Sequence, residues 1–174
     1  MDIIKVSENS IRIKSKTAVF TVNPQKFDTK NTVDAVFFFD KEQSAGAKEF
    51  KDNGILVISG PGEYEIKGIK LTGVGTSATA CYFGRIDSID VFAAKASQLS
   101  KGKDVVQDCN IAIINADAVV AESSLAALNA NVAVLYGQYA EESTKILGKQ
   151  SAQAPKYSTT REKLPAELEV IILN

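Results

Sequence analysis

The segment GPGEYEIKGI, residues 60–69, carries the most informative pattern in this chain. Its first three residues interrupt regular secondary structure, because proline donates no backbone hydrogen bond and glycine favours turns. From Gly62 onward, GEYEIKGIKLTG predicts two short strands that turn at Lys67 and Gly68. The segment therefore indicates a turn that interrupts regular secondary structure and is followed directly by a β-hairpin.

The residues before this segment also favour strands. Residues 11–22 alternate apolar and polar side chains and include many β-branched types, which predicts two short strands. The apolar run 33–39 contains three consecutive phenylalanines and predicts a strand covered on both faces. One or two helical turns are expected at 45–51, ahead of another strand at 55–59. The first part of the chain is therefore predicted to be a β-meander with one brief helix.

The residues after the segment add helices. Residues 79–83 and 85–92 predict a hairpin, with Gly84 either between its strands or at a bulge. Strands are also expected at 111–114 and 132–136. The remaining elements are predicted as a helix at 122–129, a helix at 140–147, a loop at 151–160 and a strand at 168–173 packed within the sheet core. Together they indicate an α+β domain of layered sheets with one βαβ unit, spanning residues 1–174 as a single domain.

The amino-acid composition excludes several classes of function. The 174 residues are 45% apolar and carry 20 basic and 21 acidic side chains, a net charge of −1. Without a dense basic stretch, neither nucleic acid nor a membrane surface is expected as a partner. The longest apolar stretch, 111–121, is shorter than the ~20 residues that span a bilayer. The first residues lack the pattern of a secretory signal, which predicts a cytoplasmic protein.

The absence of histidine excludes the commonest catalytic arrangements. With no histidine in the chain, Ser-His-Asp catalysis, Cys-His catalysis and imidazole zinc sites cannot form. Lysine, carboxylate, tyrosine and cysteine remain as chemical groups. The two cysteines, Cys81 and Cys109, lie in or beside apolar runs and are expected to be buried free thiols.

A few residues remain as candidates for chemistry. Asp40, Glu42 and Glu49 follow the apolar run 33–39, where they could bind a hard cation or simply form a solvated charged turn. Lys95, between two alanines, is the one lysine in a locally apolar setting, which could lower its pKa. The Ser-x-x-Lys spacing at 100–103 fits a catalytic dyad, but such a spacing on a glycine turn is common by chance.

Residues 60–69 resemble a signature of small metallo-β-lactamase-fold hydrolases, in the branch similar to the ascorbate-6-phosphate lactonases. Residues 21–24, Thr-Val-Asn-Pro, resemble the Thr-x-Asp-Pro turn of that family. The resemblance implies a four-layer αββα sandwich, with two mixed sheets face to face and helices outside. The residues of the signature loop are Gly60, Pro61, Gly62, Glu63 and Tyr64.

The resemblance fails at the metal ligands. The family carries His-x-His-x-Asp-His after a strand like 33–39, and this chain has Asp-Lys-Glu-Gln-Ser-Ala at 40–45. Asp40 and Glu42 stand at the first two histidine positions. The Gly-His-Ser, Gly-Asp and terminal histidine positions correspond to 7–9, 93–95 and Gly137, again without a family ligand. The comparison implies no zinc, no other cofactor and no residue with a metal-dependent catalytic role.

Three functions stay open at this stage. The leading interpretation is a non-catalytic pseudoenzyme that acts by binding, either as a homo-oligomer or with a related active enzyme. The second is a repurposed hydrolase or lactonase-like enzyme that uses Asp40, Glu42, Lys41 or Lys95 in the former cleft. The third is a small-ligand binder with tyrosines on the cleft wall. The tyrosines considered are Tyr64, Tyr82 and Tyr136, each of which also fits a core position.

Overall fold

The computed structural model describes residues 1–27, 32–99, 108–148 and 151–174. The strands are β1 (Asp2–Ser7), β2 (Ser10–Lys14), β3 (Val19–Val22), β4 (Ala35–Phe37), β5 (Leu56–Ile58), β6 (Gly62–Ile66), β7 (Ile69–Gly75), β8 (Ala80–Ile86), β9 (Ile89–Lys95), β10 (Ile111–Asn115), β11 (Val132–Tyr136), β12 (Ser151–Ala154), β13 (Lys156–Ser158) and β14 (Glu169–Leu173). The α-helices are α1 (Lys48–Asp52), α2 (Glu122–Ala126) and α3 (Ala140–Ile146), and 3-10 turns lie at Lys41–Gly46, Ala96–Gln98 and Arg161–Lys163.

Two mixed sheets contain these strands. The smaller sheet has the order β13-β1-β2-β3-β4-β5, and the larger has the order β12-β14-β11-β10-β9-β8-β7-β6. In the larger sheet β6 to β9 pair antiparallel, whereas β9, β10, β11, β14 and β12 pair parallel. Because neighbouring parallel strands point the same way, the carboxyl ends of β9, β10 and β11 meet at one edge.

Three apolar clusters define four layers. The largest lies between the sheets and includes Phe20, Phe37 and Ile113. A second cluster packs α2 and α3 on the outer face of the larger sheet, and a third packs α1 on the outer face of the smaller sheet. The four-layer αββα arrangement is therefore confirmed, with short helices. No helix among the described residues is long and apolar enough to cross a membrane.

Most predicted elements are confirmed at or near their expected bounds. The run 33–39 forms β4, whose Val36 and Phe37 point to opposite clusters, so this strand is covered on both faces. The residues between β10 and β11 contain α2, and the two strands pair parallel, which confirms the βαβ unit. The predicted final strand is β14, and it lies inside the larger sheet between β11 and β12.

The predicted hairpin is present as β8 and β9, but Gly84 is neither its turn nor a bulge, because the pairing register is regular on both sides of this residue. Gly84 lies within β8, and the turn to β9 is made by Asp87 and Ser88, with φ of 52° and 66°. A Cβ at Gly84 would come within 2.3 Å of the Leu71 side chain on the neighbouring strand. Glycine is present there because of close packing within the sheet, and the sequence alone does not distinguish this role from a turn.

The loop predicted at 151–160 is also wrong. It contains β12 and β13, which lie at the edges of the two different sheets. Edge strands pair on one side only and do not need a continuous apolar pattern. Pro155 separates the two strands, and its carbonyl accepts a hydrogen bond from the Lys5 amide. The proline therefore marks the transfer of the chain between sheets rather than a loop.

The signature at 60–69 performs the same kind of transfer on the opposite side. It carries the chain from β5 in the smaller sheet to β6 in the larger sheet. The Tyr82 hydroxyl donates to the Phe38 carbonyl at 2.7 Å and accepts from the Gly60 amide at 3.2 Å. The Tyr64 hydroxyl donates to the Gly60 carbonyl at 3.0 Å. These hydrogen bonds fix the crossing point next to the end of β4.

Candidate functional site

Polar side chains gather where three parallel strands of the larger sheet end. Lys95 ends β9, Asn115 ends β10 and Tyr136 ends β11, and strand pairing places the three side by side. The residues two positions earlier on each strand lie in the core between the sheets. Because side chains alternate along a strand, these three end residues also face the smaller sheet.

Asp40 supplies a carboxylate from the smaller sheet. It follows β4 and is held by an isolated bridge to Thr79. The Lys95 Nζ donates to the Asp40 Oδ2 at 3.0 Å, and the two side chains are 20% and 23% exposed. This ion pair connects the two sheets across the opening between them.

Asp117 supplies a second carboxylate, two residues beyond β10. Its Oδ2 lies 3.2 Å from the Lys95 Nζ, and its side chain is 24% exposed. Ser97 fixes the carboxylate through its hydroxyl, which donates to Oδ2 at 2.7 Å, and through its amide, which donates to Oδ1 at 3.1 Å. One ammonium group thus lies between two carboxylates. We call this group of side chains, Asp40, Lys95 and Asp117, the ion triad.

Within the ion triad, the pKa values of Lys95 and Asp117 shift in the directions that favour their charged forms. Burial opposes the charged form of Lys95 most strongly, but hydrogen bonds and charge attraction from the two aspartates together outweigh it and raise the pKa. Burial likewise opposes ionisation of Asp117, while the Ser97 hydroxyl and amide and the Lys95 ammonium lower the pKa of this carboxyl. The raised pKa favours the protonated form of Lys95, whereas a nucleophilic lysine needs a neutral amine.

A row of buried polar groups continues behind the ion triad. Asn115 is 2% exposed, and its amide approaches the Asn9 side-chain oxygen at 3.4 Å, across from the other sheet. Tyr136 is fully buried next to Asn115, and burial raises the pKa of its hydroxyl. Asn9 lies at the turn between β1 and β2, so every contact in this row again involves strand ends.

The structure unites some predicted site residues and separates others. Asp40 and Lys95, predicted as separate candidates, are in contact. Glu42 and Glu49 are exposed on the 3-10 turn and on α1, and Lys41 is exposed beside them, so they do not join the triad. The Ser-x-x-Lys segment at 100–103 lies outside the described residues.

Asp117 and Asn115 are site residues that sequence reasoning did not select. Both are polar residues within the apolar stretch 111–121. A usable signal was present, since both follow or end a strand predicted to be parallel, and sites commonly form at the carboxyl ends of such strands.

The three tyrosines have structural positions. Tyr82 and Tyr64 hold the signature loop through their hydroxyl groups, and Tyr136 packs in the core between the sheets. Cys81 and Cys109 are buried free thiols, as predicted, and burial raises the pKa of both.

Comparison with known proteins reveals the fold. No protein-family model matches this sequence, and no curated protein does. Among solved structures, one similar protein comes from Thermotoga maritima and is assigned as a zinc-dependent hydrolase of the metallo-beta-lactamase superfamily. It is 14% identical, with a TM-score of 0.71 over 98% of this chain and 97% of that one. The chain has the metallo-β-lactamase fold.

Two further structures with this fold resemble the chain along its length. The metallo-beta-lactamase fold protein YhfI from Bacillus subtilis is 10% identical, with a TM-score of 0.54 over 98% of this chain and 95% of that one. The isothiocyanate hydrolase from Delia radicum gut bacteria is 8% identical, with a TM-score of 0.55 over 98% and 96%. At these identities the likeness establishes the fold and not the activity.

The residues at the strand ends do not fit the metal that this fold commonly carries. Zinc sites in proteins use histidine nitrogen, cysteine sulfur and carboxylate oxygen as ligands. This chain has no histidine. The described residues contain no group of three or more histidine, cysteine, aspartate or glutamate side chains that could hold a metal. Instead, the Lys95 ammonium lies where the two carboxylates converge.

Proposed function

We propose that this chain is a non-catalytic cytoplasmic protein with the metallo-β-lactamase fold, which acts by binding or assembly. The observation that carries the proposal is the position of the Lys95 Nζ, 3.0 Å from Asp40 and 3.2 Å from Asp117. The group facing the opening between the sheets is therefore an ammonium already neutralised by carboxylates.

The chemistry of this group supports the proposal. Metal-dependent hydrolysis uses a cation that lowers the pKa of a bound water and polarises the bond to be broken. A protonated lysine accepts no lone pair and generates no hydroxide. The donors of Lys95 are also directed at the two aspartates, and the ammonium helps to lower the pKa of the Asp117 carboxyl, which makes this group a weaker base.

The second candidate, a repurposed hydrolase, has one observation in its favour. The side chains of Asp40, Lys95 and Asp117 keep 20% to 24% exposure, so a small substrate could reach the ion triad. Such an enzyme would use Lys95 to stabilise negative charge on the substrate and an aspartate as the base. Glu42 would have no part, because its side chain is exposed and contributes no ion pair to the triad.

Assembly into a homo-oligomer, or with a related active enzyme, is the form of binding that we propose. The supporting features are the sheet edges. Among the described strands of the larger sheet, β6 and β12 each pair on one side only, and β12 carries no charged side chain. Sheet edges are surfaces on which other chains can add a strand.

Elemental analysis combined with activity measurements tests the proposal. Tag-free protein is dialysed, analysed for metal, sized by light scattering, and assayed with lactone, thioester and phosphodiester substrates. We expect far less than one metal per chain, no turnover, and unchanged assembly in Asp40→Ala. Glu49→Ala, which removes an exposed carboxylate on α1, is the matched control.

Two results would overturn the proposal. One is stoichiometric zinc, manganese or iron in the tag-free protein. The other is turnover that Asp40→Ala abolishes and Glu49→Ala leaves intact, which would establish the repurposed hydrolase.

A further inference from the structure

We infer that a cavity on the outer face of the smaller sheet binds a small organic anion with an apolar body, such as an aromatic carboxylate. The cavity has a volume of about 190 Å³. Its lining comes from β1, β2 and β3, from the segment 24–27 that follows β3, and from α1 and its neighbours. The ion triad lies between the two sheets, so the cavity is a second site on a different face of the molecule.

The first argument is the apolar part of the lining. Phe27 and Phe50 pack edge to face, with their ring centroids 5.5 Å apart. Val33 and Ile55 belong to the same apolar cluster and also line the cavity. An apolar protein cavity of about 150 Å³ is large enough to hold benzene. The cavity therefore has room for one aromatic ring.

The second argument is a pair of hydroxyl groups in the lining. Thr21 is 5% exposed, and it faces the outer side of the sheet because its neighbours Phe20 and Val22 point into the core between the sheets. The Thr21 Oγ1 and the Ser7 Oγ are buried, and neither has a hydrogen-bond partner among the described residues. Buried polar groups are normally paired, because an unpaired one costs free energy. A ligand oxygen in the cavity would accept from these hydroxyls.

The third argument is charge. Arg12 is the cross-strand neighbour of Thr21 in the pairing of β2 with β3, and Lys26 follows β3. The described residues that line the cavity include these two cations and no acidic side chain. The arginine guanidinium is permanently charged, and its planar set of N–H donors matches a carboxylate. The polar end of the cavity therefore favours an anion.

The polar and apolar linings lie at different ends of the cavity. The hydroxyls and the guanidinium come from β1, β2 and β3, whereas Phe50 packs with Val36 of β4. The strand order β1-β2-β3-β4-β5 separates these two groups along the sheet. A ligand with a carboxylate at one end and a ring at the other matches both linings at once, as small-molecule sites commonly require.

An NMR titration of the ¹⁵N-labelled full chain with sodium benzoate tests the inference. We expect saturable shifts at the amides of Arg12 and Thr21, and none at Lys95 or Asp117. Benzamide has the same ring without the charge, so it should bind about tenfold more weakly. Inorganic phosphate has the charge without the apolar body, and it should also bind about tenfold more weakly.

Two hydroxyl variants localise the site. Thr21→Val removes the hydroxyl and keeps the branched shape, so it should weaken benzoate binding about tenfold. Its unfolding temperature should stay within about 1 °C of the native value, because the lost hydroxyl has no partner among the described residues. Thr72→Val, at an exposed position of β7, is the matched control and should bind as the native chain does. If Thr21→Val does not fold, Ser7→Ala removes the other hydroxyl and makes the same test.

A charge variant tests the recognition of the anion. Lys26→Met removes an exposed cation beside the cavity and should weaken benzoate binding about threefold. Lys163→Met removes an exposed cation on the 3-10 turn at Arg161–Lys163, which does not line the cavity, and should have no effect.

Four results would overturn the inference. Millimolar benzoate without saturable shifts would show that no such site exists. Equal affinities for benzoate and benzamide would indicate an apolar cavity that does not recognise charge, and phosphate that binds as tightly as benzoate would remove the apolar body from the ligand class. Unchanged binding in the hydroxyl variant and in Lys26→Met would place the ligand elsewhere. Metal content and turnover, which test the proposed function, do not enter any of these results.

Discussion

The signature loop at 60–69 and the ion triad lie at the same opening of the sandwich and differ in their relation to the metallo-β-lactamase family. The loop resembles the family sequence over ten contiguous residues, while residues 40–45 contain none of its metal ligands. The loop has a structural role, because it carries the chain from one sheet to the other where backbone segments approach closely. The metal ligands of the family have a catalytic role, because they bind the ion that activates water. The chain keeps the fold without any histidine, so the fold does not depend on histidine ligands.

The largest loss of stability is expected from Gly73→Ala, which perturbs the packing of the signature loop. A Cβ at Gly73 would lie 2.5 Å from the Gly60 carbonyl oxygen, a backbone atom that cannot move without shifting the crossing. We expect a loss of about 3 kcal/mol in the free energy of unfolding. Gly46→Ala is the control, since nothing lies within 4 Å of its Cβ position, and it should change stability by less than about 0.5 kcal/mol. Urea denaturation measures both, and equal effects would contradict the role of close approach.

A comparison of the stability of Asp40→Ala with that of Glu42→Ala tests whether the ion triad stabilises the fold. Asp40 pairs with Lys95, and its loss leaves the ammonium with Asp117 alone, so we expect about 2 kcal/mol of destabilisation. Glu42 is exposed and should contribute less than about 0.5 kcal/mol. Chemical denaturation of the two variants side by side decides the matter. Equal stability of both would mean that the triad is not a structural contact.

Tyr82→Phe examines the point where loop and strand end are joined. The variant keeps the ring against Phe37 but removes the hydroxyl that contacts the Phe38 carbonyl and the Gly60 amide. A buried carbonyl left without its donor should cost about 1.5 kcal/mol. Tyr64→Phe, whose hydroxyl contacts the Gly60 carbonyl at a half-buried position, should cost about 0.5 kcal/mol. A reversal of this order in thermal or urea unfolding would place the anchor of the loop at Tyr64.

The smallest expected effect is the pH dependence of the triad. The pKa of Asp117 is lowered in the folded chain, so its contribution to stability is complete above its ordinary pKa and is lost as pH falls through the lowered value. The stability difference between the native chain and Asp117→Asn should therefore shrink by about 1 kcal/mol from pH 7 to pH 2. The pKa of Lys95 is raised, so its contribution is complete below its ordinary pKa and is lost as pH rises through the raised value. Urea unfolding at several pH values measures the acidic part, and a constant difference would show that Asp117 gains nothing from folding.

Sequence patterns predicted the layers of the fold better than the roles of single residues. Alternation and apolar runs were sufficient for β2, β3, β4, β10 and β11, because each buries a face that the pattern marks directly. Gly84 was interpreted as a turn or a bulge, because glycine is common at both. Only the Leu71 side chain on the neighbouring strand shows that close packing requires glycine there. The edge strands β12 and β13 were missed because strands paired on one side carry a weak pattern.

For the candidate site, the sequence predicted single residues but not the contacts between them. Asp40 was found because it follows a buried strand, and Lys95 because alanines flank it. Their contact could not be predicted, since it joins different sheets. Asp117 was missed because a single aspartate after an apolar strand is common and its partners, Lys95 and Ser97, lie on another strand end.

Composition and local pattern were sufficient to predict layered sheets around the turn segment 60–69 and to exclude histidine chemistry. Both properties depend on residue types and on patterns over a few residues at a time. The position of Lys95 between Asp40 and Asp117 follows from the three-dimensional fold, because it depends on the register of β9 with β10 and on how one sheet faces the other. Contacts of this kind form between residues that the chain holds far apart, and no local pattern specifies them.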